Sequence, residues 1–261
     1  MPRTIICHYH IFKTAGTSFE RVLRNNFGQR HLSFDGPKTS SMITQTELIK
    51  VINTHPNLAS ISSHQITLPT PVSDQFLALP VVFVRHPILR IRSVFLHENR
   101  NASEPLESPM VGFEAWFEEL VAGHPNQLQI CNLQTNLLCR EANSSPKGVN
   151  ANGRPLYDLE AALTNISEVS CIGRAECFDE DVASFIPTLA SAEIKLDYSN
   201  QVAENVGAPD FGSPVEQQLD NMRAQLSGAT WDKLVWFNEQ DIALYDTVCR
   251  RLEASDQKSW G

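Results

Sequence analysis

The chain has 261 residues, 42% of them hydrophobic, which is enough to bury the core of an ordinary α/β domain. The formal net charge is −9 and no broad basic stripe runs through the sequence, which argues against nucleic acid as a partner. No run approaches the length of a membrane span, the first residues lack a basic-then-apolar signal pattern, and six cysteines stand at no metal-type spacing. The expectation is a cytoplasmic protein with reduced, mostly buried thiols and no stable membrane insertion.

In chain order, residues 4–7 form a short apolar, β-prone run. It leads into His8-Tyr9-His10-Ile11-Phe12-Lys13-Thr14-Ala15-Gly16-Thr17-Ser18-Phe19-Glu20, after which Phe19, Val22, Leu23 and Phe27 recur at helical spacing and Gly28 supplies a stop. Thr17 and Glu20 stand at Thr-x-x-Glu spacing, which predicts a capping box and a helix that begins at Thr17. A short strand is expected at 31–34. A helix over 44–54 follows, with a second capping box from Thr44 and Glu47, and then a strand over 58–63 that ends at His64. The continuous apolar run 79–84 reads as a central parallel strand covered on both faces. Helices are expected at 88–98, 113–121, 128–138 and 156–166, then a strand at 169–173, a helix at 179–189, and one long closing helix over 231–252. Segments 100–112, 143–155 and 200–214 read as flexible loops.

Strands alternating with helices indicate an α/β fold. The expectation is a single domain over 1–261 with a central, mostly parallel, doubly wound sheet flanked by helices. In such sheets ligands sit beyond the carboxyl ends of strands, and Lys13, His64 and Arg85 each follow a predicted strand.

The turn from Lys13 to Ser18 has the chemistry of an anion site. A helix N-terminus offers unpaired N–H groups and a partial positive charge. Gly16 lets the backbone approach, Lys13 adds a full charge, and Thr14, Thr17 and Ser18 add hydroxyl donors. The ATP-type phosphate loop fits poorly, because there lysine follows the second glycine whereas Lys13 precedes Gly16. A second basic stretch is Arg85-His86-Pro87-Ile88-Leu89-Arg90-Ile91-Arg92-Ser93-Val94-Phe95. Its Arg85 stands at a strand end where a guanidinium can clamp a phosphate, and Ser93 lies about two helical turns further on. Together with Arg100 these arginines form the one local basic cluster in an acidic chain, as expected of a binder of small anions.

The order His-x-x-Lys-Thr-Ala-Gly-Thr-Ser resembles the 5′-phosphosulfate loop of carbohydrate sulfotransferases that use 3′-phosphoadenosine 5′-phosphosulfate (PAPS), in particular the heparan 2-O- and 6-O-type branch and its bacterial relatives. Phe12 stands where that family has proline. Arg-x-Pro-x-x-Arg-x-x-Ser-x-Phe resembles the same family's 3′-phosphate segment, with His86 at a position that is often aspartate. Asn132-Leu133-Gln134-Thr135-Asn136 is similar to its Asn-x-Gln-Thr-Arg stretch, with Asn136 replacing arginine. Ile172-Gly173-Arg174-Ala175-Glu176-Cys177-Phe178-Asp179-Glu180 resembles its Val-Gly-Leu-x-Glu-Arg-Phe-Asp-Glu block.

The resemblance implies transfer of a sulfonate from PAPS to a hydroxyl, on a saccharide or glycosylated small molecule, with no metal. It implies that Thr14, Gly16, Thr17 and Ser18 hold the 5′-phosphosulfate, that Lys13 stabilises the departing oxygen, and that Arg85 and Ser93 bind the 3′-phosphate. His64 is the expected general base: histidine's near-neutral pKa suits removal of a hydroxyl proton, and its Ser-Ser-His context resembles the family's Gly-His segment. His10 belongs to the loop, while His8, His31, His55, His97 and His124 carry no expectation beyond ordinary placement. Two alternatives stay open: a non-catalytic nucleotide- or phosphate-binding module on the same fold, and a P-loop kinase using ATP.

Overall fold

The computed structural model describes residues 2–38, 41–99, 110–139, 148–149, 153–199, 210 and 212–258. Its strands are β1 (Arg3–Tyr9), β2 (His31–Ser33), β3 (Ser60–Ser63), β4 (Phe76–Val84), β5 (Gly148–Val149), β6 (Pro155–Leu156) and β7 (Cys171–Arg174). Its helices are α1 (Gly16–Phe27), α2 (Gln45–Thr54), α3 (Pro87–Glu98), α4 (Phe113–Val121), α5 (Leu133–Cys139), α6 (Leu159–Ser167), α7 (Phe178–Ser191), α8 (Val215–Arg223), α9 (Gly228–Phe237) and α10 (Glu239–Lys258). The α/β expectation holds: a five-stranded sheet, ordered β2-β3-β1-β4-β7, is parallel throughout and flanked by helices.

The chain groups into two compact units. The first comprises residues 1–84, 137–145 and 160–205 and contains the whole sheet. Strand β1 is its centre, paired on one side with β3 and on the other with β4, with Tyr9 opposite both Ser63 and Val82. Ile6 of β1 and Leu79, Val81 and Phe83 of β4 face one way and pack against Phe19, Val22, Leu23 and Phe27 of α1 and Val182, Phe185 and Leu189 of α7. The helical spacing of those α1 residues is what places them on the sheet, and each contributes roughly 1.5–3 kcal/mol by burial. Helix α2 opens with the capping box expected of Thr44 and Glu47.

The second unit comprises residues 85–136, 146–159 and 206–261. Its core joins Ile88, Ile91 and Phe95 of α3 to Phe113 and Phe117 of α4, Met222 of α8, and Leu234 and Phe237 of α9.

Four expectations change. Helix α1 begins at Gly16 after Ala15, so no capping box forms at Thr17, and Glu20 binds elsewhere. The helix expected at 128–138 is a 3₁₀ turn, Pro125–Gln129, followed by the shorter α5. The long closing helix is broken at Asn238 into α9 and α10. Within the expected loop 143–155, Gly148 and Val149 pair antiparallel with Leu156 and Pro155. Most of segments 100–112, 143–155 and 200–214, with Arg100, lies outside the described residues. Among the described residues no helix is long and apolar enough to cross a membrane.

Candidate active site

The residues expected to hold a 5′-phosphosulfate and the expected base all lie in the first unit. Strand β1 runs into a turn in which Lys13 and Ala15 both have φ of 66°, the left-handed region. Left-handed residues alternating with right-handed ones turn successive N–H groups toward one concavity, an arrangement suited to anions. Ala15 is the N-cap of α1 and makes no side-chain cap bond, and the first turn of α1 carries no acidic residue. The first-turn amides therefore have no capping acceptor from the N-cap side chain, and the helix dipole favours negative charge there. Thr14 is buried and its hydroxyl donates to the Ile11 carbonyl at 3.0 Å. Its hydroxyl thus braces the turn. Thr17 is exposed and Ser18 is buried. The Lys13 ammonium lies 5.9 Å from the centre of the Phe12 ring, so the phenyl that replaces proline packs beneath the lysine.

Gly16 is required by its neighbour. A Cβ at this position would stand 2.0 Å from Cδ2 of His10, so the imidazole lies directly against the glycine. The His10 ring also stacks on His64, with centroids 4.0 Å apart and planes at 26°. His8 continues the stack, 5.2 Å from His10. The expected base is thereby connected to the start of α1 through one intervening ring.

Two carboxylates bound this row of imidazoles. Glu20, on α1, accepts from Arg24 at 2.6 Å and from the Ser33 hydroxyl, and stands 3.6 Å from Nδ1 of His10 and 3.8 Å from Nε2 of His31. The bonds offered by His10 and His31 hold its carboxyl well below the usual range. Burial pushes His8 and His10 below the ordinary histidine value, opposed in each by the negative charge of Glu20, so both rings are neutral near pH 7. The second carboxylate is Asp35, whose Oδ2 lies 3.0 Å from Nδ1 of His64.

Neither His8 nor His31 has ordinary placement, and Asp35 was missed altogether. The register explains why: Ser33 of β2 is level with Ser62 of β3, so residues 35 and 64 leave neighbouring strands at the same height. That signal exists only once strand order is known.

Arg85 and Ser93 belong to the second unit. Arg85 is the first residue beyond β4, and Gln134 grips its backbone twice: the Arg85 amide donates to Oε1 and Nε2 donates to the Arg85 carbonyl, both at 2.8 Å. Ser93 is half-buried on α3. The neighbouring arginines are not a solvated cluster. Arg90 is fully buried and donates to the Gln129 carbonyl at 2.6 Å. Arg92 pairs with Asp210 at 3.0 Å and donates to Gln218 at 2.7 Å. His86 is buried edge-on to Tyr245, and burial, reinforced by the Arg85 charge, pushes it down to about 4.

The Asn-Leu-Gln-Thr stretch is equally structural. Asp241 accepts the amides of Gln134 and Thr135 and the Thr135 hydroxyl, while Asn132 accepts the amides of Gln240 and Asp241. Among the described residues no group of three or more His, Cys, Asp or Glu side chains has the arrangement to hold a metal ion.

Over its length the chain is 26% identical to an uncharacterized protein of Archaeoglobus fulgidus, an alignment of 262 residues that covers 95% of this chain and 97% of that protein. A family model described as the sulfotransferase family matches residues 2–246, taking in the lysine loop, the histidines and the arginine segment alike. The chain belongs to the sulfotransferase family, whose chemistry is sulfonyl transfer.

Proposed function

We propose that the chain transfers a sulfonate from PAPS to a hydroxyl of a saccharide, making a sulfate ester. The observation that carries the reading is the contact series His64–His10–Gly16, which puts an imidazole base within one ring's width of the helix start that suits the phosphosulfate. In this reading the backbone around Gly16, with Thr14, Thr17 and Ser18, holds the 5′-phosphosulfate. Lys13 neutralises the charge that grows on the departing phosphate oxygen, and His64 takes the acceptor's proton. Positioning and electrostatics dominate such transfers, as they do for phosphoryl groups. Arg85 and Ser93 are assigned to the 3′-phosphate by resemblance.

The formal charge of −9 disfavours a densely sulfated polymer as acceptor, so the proposed acceptor is a neutral or lightly charged saccharide. Incubation with sulfur-35-labelled PAPS and a mixed glycan pool tests the reading, and label is expected on neutral glycans. Selective labelling of heparin-like chains overturns the acceptor class. A nucleotide panel in which ATP is preferred to 3′-phosphorylated adenosine overturns the donor.

A further inference from the structure

Asp35 belongs to none of the motifs, yet both of its oxygens are committed, to Ser63 and His64. Oδ1 accepts the Ser63 hydroxyl at 2.7 Å and the His64 amide at 2.9 Å, and Oδ2 faces His64 Nδ1 at 3.0 Å. Burial pushes the Asp35 carboxyl up, but the bonds from Ser63 and His64 together outweigh it and leave the group below its usual range, ionised near neutral pH. An ionised carboxylate only accepts hydrogen bonds, so the ring nitrogen that faces it carries the hydrogen. His64 is then held as the Nδ1–H tautomer, with the lone pair on Nε2. His10 stacks on the ring and limits its tilt. The His64 side chain is 45% exposed, so an acceptor hydroxyl has a path to it.

We propose that Asp35 is a positioning residue of the transfer reaction: it fixes the tautomer and orientation of His64 and stabilises the imidazolium formed when Nε2 takes the acceptor proton. This deepens the reading of His64 as the base and rests on it. The acceptor O–H bond breaks as an N–H bond forms at Nε2. The acceptor oxygen bonds to sulfur as sulfur parts from the 5′-phosphate oxygen, which keeps that electron pair. The proton on Nε2 then leaves to solvent, and Asp35 stays ionised throughout. The groups facing the His64 ring are Asp35 and His10, with His8 and Glu20 beyond His10.

The test uses protein labelled with nitrogen-15 in histidine, with ring spectra recorded over about pH 5 to 9, a window that brackets ordinary histidine titration. The His64 signals are assigned by their loss in His64→Ala. In the wild type His64 is expected as the Nδ1–H tautomer. Asp35→Asn is expected to shift it toward Nε2–H, because the carboxylate that accepts from Nδ1 is gone. Asp35→Glu restores the Nδ1–H form in part. A wild-type Nε2–H tautomer, or a tautomer unchanged in Asp35→Asn, overturns the proposal, and this readout needs no acceptor.

In the labelled-PAPS assay with the glycan pool, Asp35→Asn is expected to lower kcat about 10- to 100-fold, within the roughly 100- to 10,000-fold reach of general-base catalysis, with KM for PAPS unchanged. A purely structural role would lower turnover without changing the ring's tautomer. Full labelling by His64→Ala sinks the base reading itself. An inactive His64→Ala beside a fully active Asp35→Asn sinks the role of Asp35 alone.

Discussion

Gly16 is where the loop and the imidazoles meet, and a single methyl group tests the junction. Because a Cβ there would lie 2.0 Å from Cδ2 of His10 and 2.4 Å from its Nε2, Gly16→Ala is expected to destabilise the fold by about 1–3 kcal/mol and to push His10 off His64. The double variant with His10→Ala is expected to recover most of that loss. Urea denaturation of the two single variants and the double variant measures the coupling, and additive losses would mean the ring and the glycine do not touch.

Arg85→Ala is expected to weaken binding of adenosine 3′,5′-bisphosphate by about 2–3 kcal/mol in titration calorimetry, as for loss of one partner of a desolvated charge pair. Near-wild-type affinity removes the 3′-phosphate assignment. Lys13 and His64 could be singled out as candidates in the sequence because each sits in a short motif beyond a strand. Glu20 was misread because its spacing from Thr17 imitates a capping box, while its actual partners His31 and Ser33 come from β2, at sequence distances no local pattern reports.

At the scale of elements, Asp241 joins the start of α5 to α10. It is fully buried, and that burial pushes its carboxyl up, opposed first by the Arg90 charge and then by the Thr135 and Gln134 amides. Asp241→Ala leaves two helix-start amides and the Thr135 hydroxyl without their acceptor and removes the negative charge that offsets the buried Arg90, and a loss of about 3–5 kcal/mol is expected in chemical denaturation. A loss under about 1 kcal/mol, the scale of an exposed pair, would show the carboxylate to be dispensable.

The same junction explains where the sequence misled. Asn132 adopts φ of 46° and accepts two α10 amides, so α5 cannot begin before Leu133. Asn238 interrupts 231–252 because its side chain turns back to the Leu234 carbonyl and accepts the Asn132 amide. Apolar periodicity ran straight through both positions, since a break fixed by a partner about a hundred residues away leaves no periodic trace. Where burial alone decides, periodicity located α1 and α4 well, and the continuous apolar run 79–84 found the carboxyl-terminal part of β4.

For the whole molecule, the buried imidazoles set a direction for stability against pH. His8, His10 and His86 are all held below the ordinary histidine value of 6.5, chiefly by burial, and His86 is pushed to about 4. Between those values the unfolded chain binds protons that the folded chain refuses, so stability falls as pH drops below 6.5. For His86 the fall is about 1.4 kcal/mol per pH unit down to about 4. Glu20, with its depressed pKa, adds to the loss once pH falls below the ordinary carboxylate range. Denaturant midpoints taken from about pH 7 down to about pH 4.5 are expected to decline steadily, and a His86→Leu variant is expected to show a shallower decline. A flat profile would mean these rings charge freely in the native state. The sheet's strand content and parallel sense were readable from the alternation of elements; the order β2-β3-β1-β4-β7, which brings Asp35 to His64, was not.

One consequence follows from the grip of Gln134 on both backbone atoms of residue 85. The main chain at that point is anchored whatever head group it carries, like a socket that accepts interchangeable tools. Lysine, glutamine or a neutral residue can be fitted there without rebuilding the end of the strand, so an exchange at 85 reports on the side chain alone.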